Sequence, residues 1–354
     1  MVRWAADAFT DQLEDSHCHT ANSRVPGGHN DVSPVPLDPS LAPLLLFDRG
    51  GDQAAAADGD DDGIIFLYSI PKRKLLSRSR SAAGLAGHRY WVTPQGWLLM
   101  LHLESRDTFL WNPSTLARIR LHTDQDNLLD GIGDGRCLLS RRPSDADADC
   151  VVLLLDRENS VFYYCRPVPG GSRWLKHAHG HDSLMDNCHA TAGEKFCSYN
   201  TNIIVTLEFS PNPTFTTHAL LEYGMAKSTG YTMWLDLVVE SNRELFSLTF
   251  CHPVLSERRV TQIVVRKLDL STGAWLRVDT LGDAVFLVDC TRRYGASFDA
   301  GRVAGMGNGN RIYFLTYEDK ALYVYDLEWG TTAMHNPGLI LQDSHVPEFV
   351  MPLV

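Results

Sequence analysis

Short apolar runs, bounded by Gly, Asn, Asp or Pro, recur along most of this chain, and the densest set lies between Tyr231 and Leu281. Near-alternation and enrichment in β-branched and aromatic residues predict strands over Met233–Val239, Glu244–Phe250 and Thr261–Leu270, with a short fourth over Trp275–Val278. Turns fall at Ser241–Arg243 and Ser271–Ala274, where polar and small residues interrupt the runs. Four short antiparallel strands ending on a turn and a tryptophan make one blade of a β-propeller.

The same grammar of strand, Asp or Asn turn, strand, then Trp or Leu repeats elsewhere. One unit spans His88 to Leu121, with turns at Thr93–Gly96 and Asn112-Pro113. The next joins Cys137–Ser140, Cys150–Leu155, Ser160–Cys165 and Trp174-Leu175. A third runs from Met185 through Phe196–Tyr199 and Ile203–Phe209 to His218–Leu221. Val285–Val288, Arg311–Tyr317 and Ala321–Leu327 supply a fifth. Left over are Leu44–Phe47 and Ile64–Ile70 near the start and Phe349–Val354 at the end. A ring of blades loses its free edges only when one blade is completed from both termini. The expectation is therefore an all-β propeller of about six four-stranded blades, closed by those leftover strands, with a pair of β-sandwiches as the alternative. Residues 1–40, rich in polar residues and proline, are expected to form a disordered or weakly structured arm before a propeller over 41–354.

Composition narrows the function classes. A formal charge of −11 speaks against nucleic-acid binding, which needs a basic face. Lys72-Arg73-Lys74, with Arg78 and Arg80, reads as a solvated strand end or loop, with a nuclear-import signal as the other reading. No stretch approaches the ~20 apolar residues of a membrane-spanning helix, and Met1–Asp15 lacks the layout of a secretory signal. The eight cysteines have no framework spacing and read as reduced, mostly buried thiols. Both Asn-x-Ser/Thr sites, at Asn112 and Asn212, carry proline in the middle and cannot be glycosylated. A cytoplasmic or nuclear location is the expectation.

Candidate chemistry is thin. His177, His179 and His181 would share a face of a strand, but Gly180 and Asp182-Ser183 favour a loop over a zinc site. His17, Cys18 and His19 lie in the polar arm, and Cys188-His189 with Cys197 lacks paired Cys-x-x-Cys spacing. Gly131–Gly135 and Gly305–Gly309 lack the Lys-Ser/Thr of a phosphate loop and read as turns. No residue is singled out as catalytic, cofactor-binding or metal-ligating, and no cofactor is expected. The eight tryptophans read first as packing between blades and second as recognition anchors at the propeller mouth.

A series of short motifs adds a resemblance. Gly96-Trp97-Leu98, Leu110–Thr115, Cys137–Ser140 and Cys165-Arg166-Pro167 are followed by Trp174, Leu237–Ser241, Glu244-Leu245 and Lys267-Leu268-Asp269. Trp275, Leu281-Gly282-Asp283, Asn310–Phe314 and Val324–Leu327 complete it. In this order they resemble the KIB-type β-propeller family of plants, long catalogued as domain of unknown function 295, over roughly residues 41–354. The resemblance implies a propeller usually joined to an F-box and acting as a substrate receptor of cullin-RING ubiquitin ligases. Residues 1–40 carry none of the F-box pattern of leucine and proline followed by a Cys-Arg-x-Trp-like end. A second departure is Gly193-Glu194-Lys195-Phe196, where the family commonly has Gly-Lys and an aromatic, and it predicts a bulge or longer turn. The expected function is a monomeric, non-catalytic protein-recognition scaffold whose target is open and which does not bind a Skp1-type adaptor directly. It would be a receptor or a decoy relative. The alternative is an enzyme with a small-molecule site in the central channel, marked by carboxylates or histidines converging there.

Overall fold

The computed structural model describes residues 34–48, 63–133, 135–143, 150–156, 161–167, 173–178, 188–200, 203–210, 212–220, 231–253, 260–269, 271–316, 321–336 and 347–352; the side chains of 188, 189, 200, 231–234 and 253 are excepted. Blade one holds β1 (Leu44–Asp48), β2 (Ile64–Ser69) and β3 (Lys74–Ser79). Blade two is β4 (His88–Val92), β5 (Leu98–His102), β6 (Thr108–Trp111) and β7 (Arg118–Arg120). Blade three is β8 (Gly135–Leu139), β9 (Val152–Asp156), β10 (Val161–Cys165) and β11 (Leu175–Ala178). Blade four is β12 (Cys188–Ala192), β13 (Lys195–Asn200), β14 (Ile203–Phe209) and β15 (Pro213–Ala219). Blade five is β16 (Tyr231–Ser241), β17 (Glu244–Pro253), β18 (Gln262–Asp269) and β19 (Ala274–Arg277). Blade six contains β20 (Ala284–Asp289), β21 (Tyr294–Asp299), β22 (Arg311–Leu315), β23 (Leu322–Asp326) and β24 (Thr331–Asn336). Finally β25 (Glu348–Val350) returns to blade one and pairs antiparallel with β1, placing Val350 opposite Leu44 and Phe349 opposite Leu45.

The ring thus closes as the leftover strands imply, with β25 the inner edge of the order β25-β1-β2-β3. Blade six departs from the four-stranded expectation. Its order is β21-β20-β22-β23-β24, with β20 and β22 parallel. Strand β21 turns back from β20 to take the inner position beside β16, and residues 300–310 then carry the chain across to β22. Alternation in Tyr294-Gly-Ala-Ser-Phe-Asp is too dilute in large apolar residues to announce this strand.

Six apolar clusters hold the ring, one at each junction between neighbouring blades. Leu44 and Leu46 pack toward Tyr90, Leu98, Met100 and Trp111 of blade two. Their neighbours Leu45 and Phe47 pack toward Val285, Leu287 and Tyr313 of blade six. Both faces of β1, a strand inside its blade, are therefore dry, which explains the near-continuous apolar runs where a one-sided sheet would alternate. Hairpins use residues suited to positive φ. Gly193 and Glu194, at φ 56° and 68°, form a two-residue turn that pairs Ala192 with Lys195. This corrects the bulge or longer turn expected there: the irregularity lies at the other end of the hairpin, between Cys188 and Ala190. The Asp and Asn turn signals are Asx turns. Asn112, Asp269 and Asp326 each accept backbone N–H groups two and three residues on or their side-chain equivalents.

The polar segment 34–40 belongs with the propeller: Val35 and Leu37 donate backbone N–H to Ala82 and Pro113, and Leu37 is buried. Residues 1–33 lie outside the described residues. The basic run is the β2–β3 turn and the outer strand β3, with Arg80 bound to Asp48. Cys137, Cys150, Cys165, Cys197, Cys251 and Cys290 are free, buried thiols, and burial pushes Cys197 up to about 11. Among the described residues no helix is long and apolar enough to cross a membrane.

Two half-buried histidines make stability pH-dependent. His335 bonds the carbonyl of Ile70 at 3.1 Å across the blade six–blade one junction, between the edges of Tyr68 and Tyr313. His88 bonds the carbonyl of Ala86 at 2.6 Å. Burial lowers both pKa values, aided by Arg73 and Arg311 at His335 and by His102, Arg118 and Arg80 at His88. The unfolded chain then binds protons that the folded chain refuses, so stability is full above the ordinary histidine pKa of about 6.5 and falls as pH drops through it. The melting temperature is expected to be lower at pH 5 than at pH 7.5, and a His335→Phe variant should show a shallower profile. A profile unchanged by that substitution would remove His335 as a contributor.

Candidate functional site

The channel axis was the sequence's discriminating place, and five polar side chains come together there, three of them from inner strands. Arg136 comes from β8, Asp289 from the end of β20, Arg292 from the following turn, Tyr294 from β21 and Glu348 from β25. Two carboxylates do converge, but both are engaged. Asp289 accepts the backbone N–H groups of Thr291 and Arg292 at 2.8 and 3.1 Å and faces the Arg292 guanidinium at 3.7 Å. Glu348 pairs with the same guanidinium at 3.2 Å, and Arg292 also donates to the carbonyl of Pro347 at 3.1 Å. Arg136 in turn donates to the carbonyl of Arg292. Blades one, three and six are thereby tied through the axis. Burial, with Glu348 and Asp289 nearby, holds the Tyr294 phenol well above its ordinary pKa, so it stays protonated. The space left among these groups is about 30 Å³, room for little more than a water molecule or two.

A larger cleft, about 310 Å³, opens at the end of blade six where β20 begins. Its walls are Gly282-Asp283, Gly301, the loop Gly307–Arg311, and the β23–β24 turn with Asp326, Glu328 and Trp329. Gly309 is required by close approach: a Cβ there would stand 2.3 Å from the Asp283 carbonyl carbon. Asp326 caps its turn by accepting N–H from Glu328 and Trp329, and pairs with Arg311 at 3.8 Å. The turn leaves Trp329 73% exposed, while Trp91, Trp97, Trp111, Trp174 and Trp275 are buried. Packing between blades therefore accounts for those five, and Trp329 stands apart among the described tryptophan side chains.

The other sequence candidates disperse. His177 lies on β11 and stacks on Phe162, with ring centroids 4.8 Å apart, as part of the blade three–blade four junction. His179, His181, His17, Cys18 and His19 lie outside the described residues, as do the side chains of Cys188 and His189. Cys197 is buried. Gly135 opens β8, and Gly305–Gly309 forms the loop before β22, as turns between strands. The axial cluster and the cleft were not legible beforehand, since each gathers single residues from distant strands and turns; only Leu281-Gly-Asp283, Asn310-Arg and the Val324–Leu327 run marked the cleft's neighbourhood.

Architecture and closure define the molecule as a six-bladed β-propeller. The KIB1-4 beta-propeller family model matches residues 67–332, and the chain belongs to that family. A search of curated proteins found no significant match. Among solved structures, a luciferin-regenerating enzyme is similar at 9% identity and TM-score 0.33, over 84% of each chain. The WD40 domain of SCAP from fission yeast is similar at 7% identity and TM-score 0.32, over 77% of this chain and 81% of that one. AztD from Citrobacter koseri is similar at 9% identity and TM-score 0.29, over 82% and 93%.

Proposed function

We propose that this chain is a non-catalytic protein-recognition scaffold, akin to the substrate-binding propeller of F-box ubiquitin-ligase receptors but without direct coupling to a Skp1-type adaptor. The observation carrying this reading is the contrast between the two cavities. The axial one is small and both of its carboxylates face the Arg292 guanidinium. The open cleft presents an exposed tryptophan, the residue type most enriched where partners bind tightly. Membership of a propeller family supports the scaffold part of the reading. Within residues 1–40, Trp4, Phe9 and Leu13 are few anchors for an interface that typically buries about 1,600 Å², so this segment is not expected to hold an adaptor itself.

The test immobilises the purified chain and offers it a Skp1-type adaptor, with an F-box-bearing relative as positive control. The control should retain the adaptor and this chain should not. Sub-micromolar binding that depends on residues 1–40 would contradict the uncoupled reading.

A further inference from the structure

We infer that the blade-six cleft is the pocket that takes an arginine side chain from an extended segment of a protein partner. The inference rests on the recognition reading and supplies the chemistry of its contact.

Three independent features meet in the cleft. The first is size: about 310 Å³ matches a single long side chain and its flanking backbone, and is too small for a folded element. The second is Trp329, whose indole stands in solvent at the lip, held there by the Asp326 turn. An exposed indole face is the strongest of the side-chain cation–π partners and prefers a flat guanidinium laid over it. The third is charge. Asp326 is neutralised by Arg311, whereas Asp283 and Glu328, also on the wall, are exposed and have no cationic partner among the described residues. These two carboxylates make the cleft acidic on a chain already at −11. A planar cation can stack on Trp329 while its N–H groups reach a carboxylate, a combination that arginine meets and an apolar or acidic side chain does not. Gly301 and Gly307–Gly309 add backbone without side chains along the wall, so an extended peptide can approach closely.

Binding of a labelled arginine-rich hexapeptide to the full chain, followed by fluorescence anisotropy, tests the inference. The same peptide with citrulline in place of arginine keeps the shape and removes the charge. The arginine peptide should bind, and the citrulline peptide should bind at least about tenfold more weakly. Trp329→Ala should cause a comparable loss although every charge on the protein remains, and Asp283→Asn with Glu328→Gln should do the same. All substituted groups are exposed or on turns, and unchanged melting temperatures would show that the variants fold. Equal binding of both peptides, no binding of either, or arginine binding that survives Trp329→Ala would overturn the inference; the last means general attraction to an acidic chain. A partner retained equally by wild type and Trp329→Ala would overturn the pocket and leave the recognition reading standing.

Discussion

Removal of residues 348–354 is expected to abolish a soluble, cooperatively folding protein. Strand β25 is the inner strand of blade one, and its loss bares the inner edge of β1 at Leu44, Leu45 and Leu46, which are paired with Val350, Phe349 and Glu348. Phe349, Val350 and Met351 are all at least 96% buried, in clusters shared with blades six and two. Burial at about 1.5–3 kcal/mol per side chain makes the loss on the order of 5–9 kcal/mol, comparable with the whole stability of an ordinary domain, about 5–15 kcal/mol. The exposed edge also offers unpaired N–H and C=O groups to other chains. Aggregation on expression, or a melting temperature lowered by roughly 7–12 °C, is the expected result. A monomeric truncation melting like the intact chain would mean that the ring closes without β25.

Arg292→Ala should be the most damaging single substitution at the axis. The guanidinium answers both Asp289, whose side chain is 3% exposed, and Glu348. Breaking a fully buried pair costs about 3–5 kcal/mol because a charge stays behind. About a quarter of the Arg292 and Glu348 side chains reaches solvent, which lowers the expectation to about 2–3 kcal/mol. In a chain of this size that is a fall of roughly 3–4 °C in melting temperature. Adding Glu348→Gln to an Arg292→Met background should recover part of it, since one stranded charge is then gone. Arg277 provides the contrast: its pairing with Asp279 is on the surface, with side chains 64% and 87% exposed, and Arg277→Ala should change little. Equal effects of the two arginine substitutions would remove the axial tie from the account.

Much of the fold was written locally. Blade five was legible strand by strand because Asn242-Arg243 and Asp269–Gly273 punctuate dense β-branched runs. Closure could be read because strands at both ends lacked partners. Three strands escaped. Strand β3 carries Lys74 and Arg78 and is half exposed, β21 contains Gly295 and Ser297, and β24 lies on the outer edge with an exposed Met334. Each has few apolar residues because one or both sides face solvent or a crowded axis, so periodicity gave no signal. The parallel step from β20 to β22 was equally hidden: it depends on β21 folding inward, a tertiary choice that no turn residue encodes. For the same reason the axial cluster could not be anticipated from Arg136, Asp289, Arg292 and Glu348, which are up to 212 residues apart in the numbering. Trp329 was visible only as one of eight tryptophans, and only the tertiary structure distinguishes it from the five that are buried.

The claim at the centre is that partners are recognised on the propeller's surface, at the end of blade six, and not by chemistry in its channel. Hydrogen–deuterium exchange of the chain with and without a bound protein partner measures this directly. Protection is predicted in the backbone of residues 282–283, 300–311 and 326–330, with the axial segments 135–136, 289–294 and 347–350 unchanged. Protection confined to those axial segments, with the blade-six turns exchanging as in the free chain, would contradict the account.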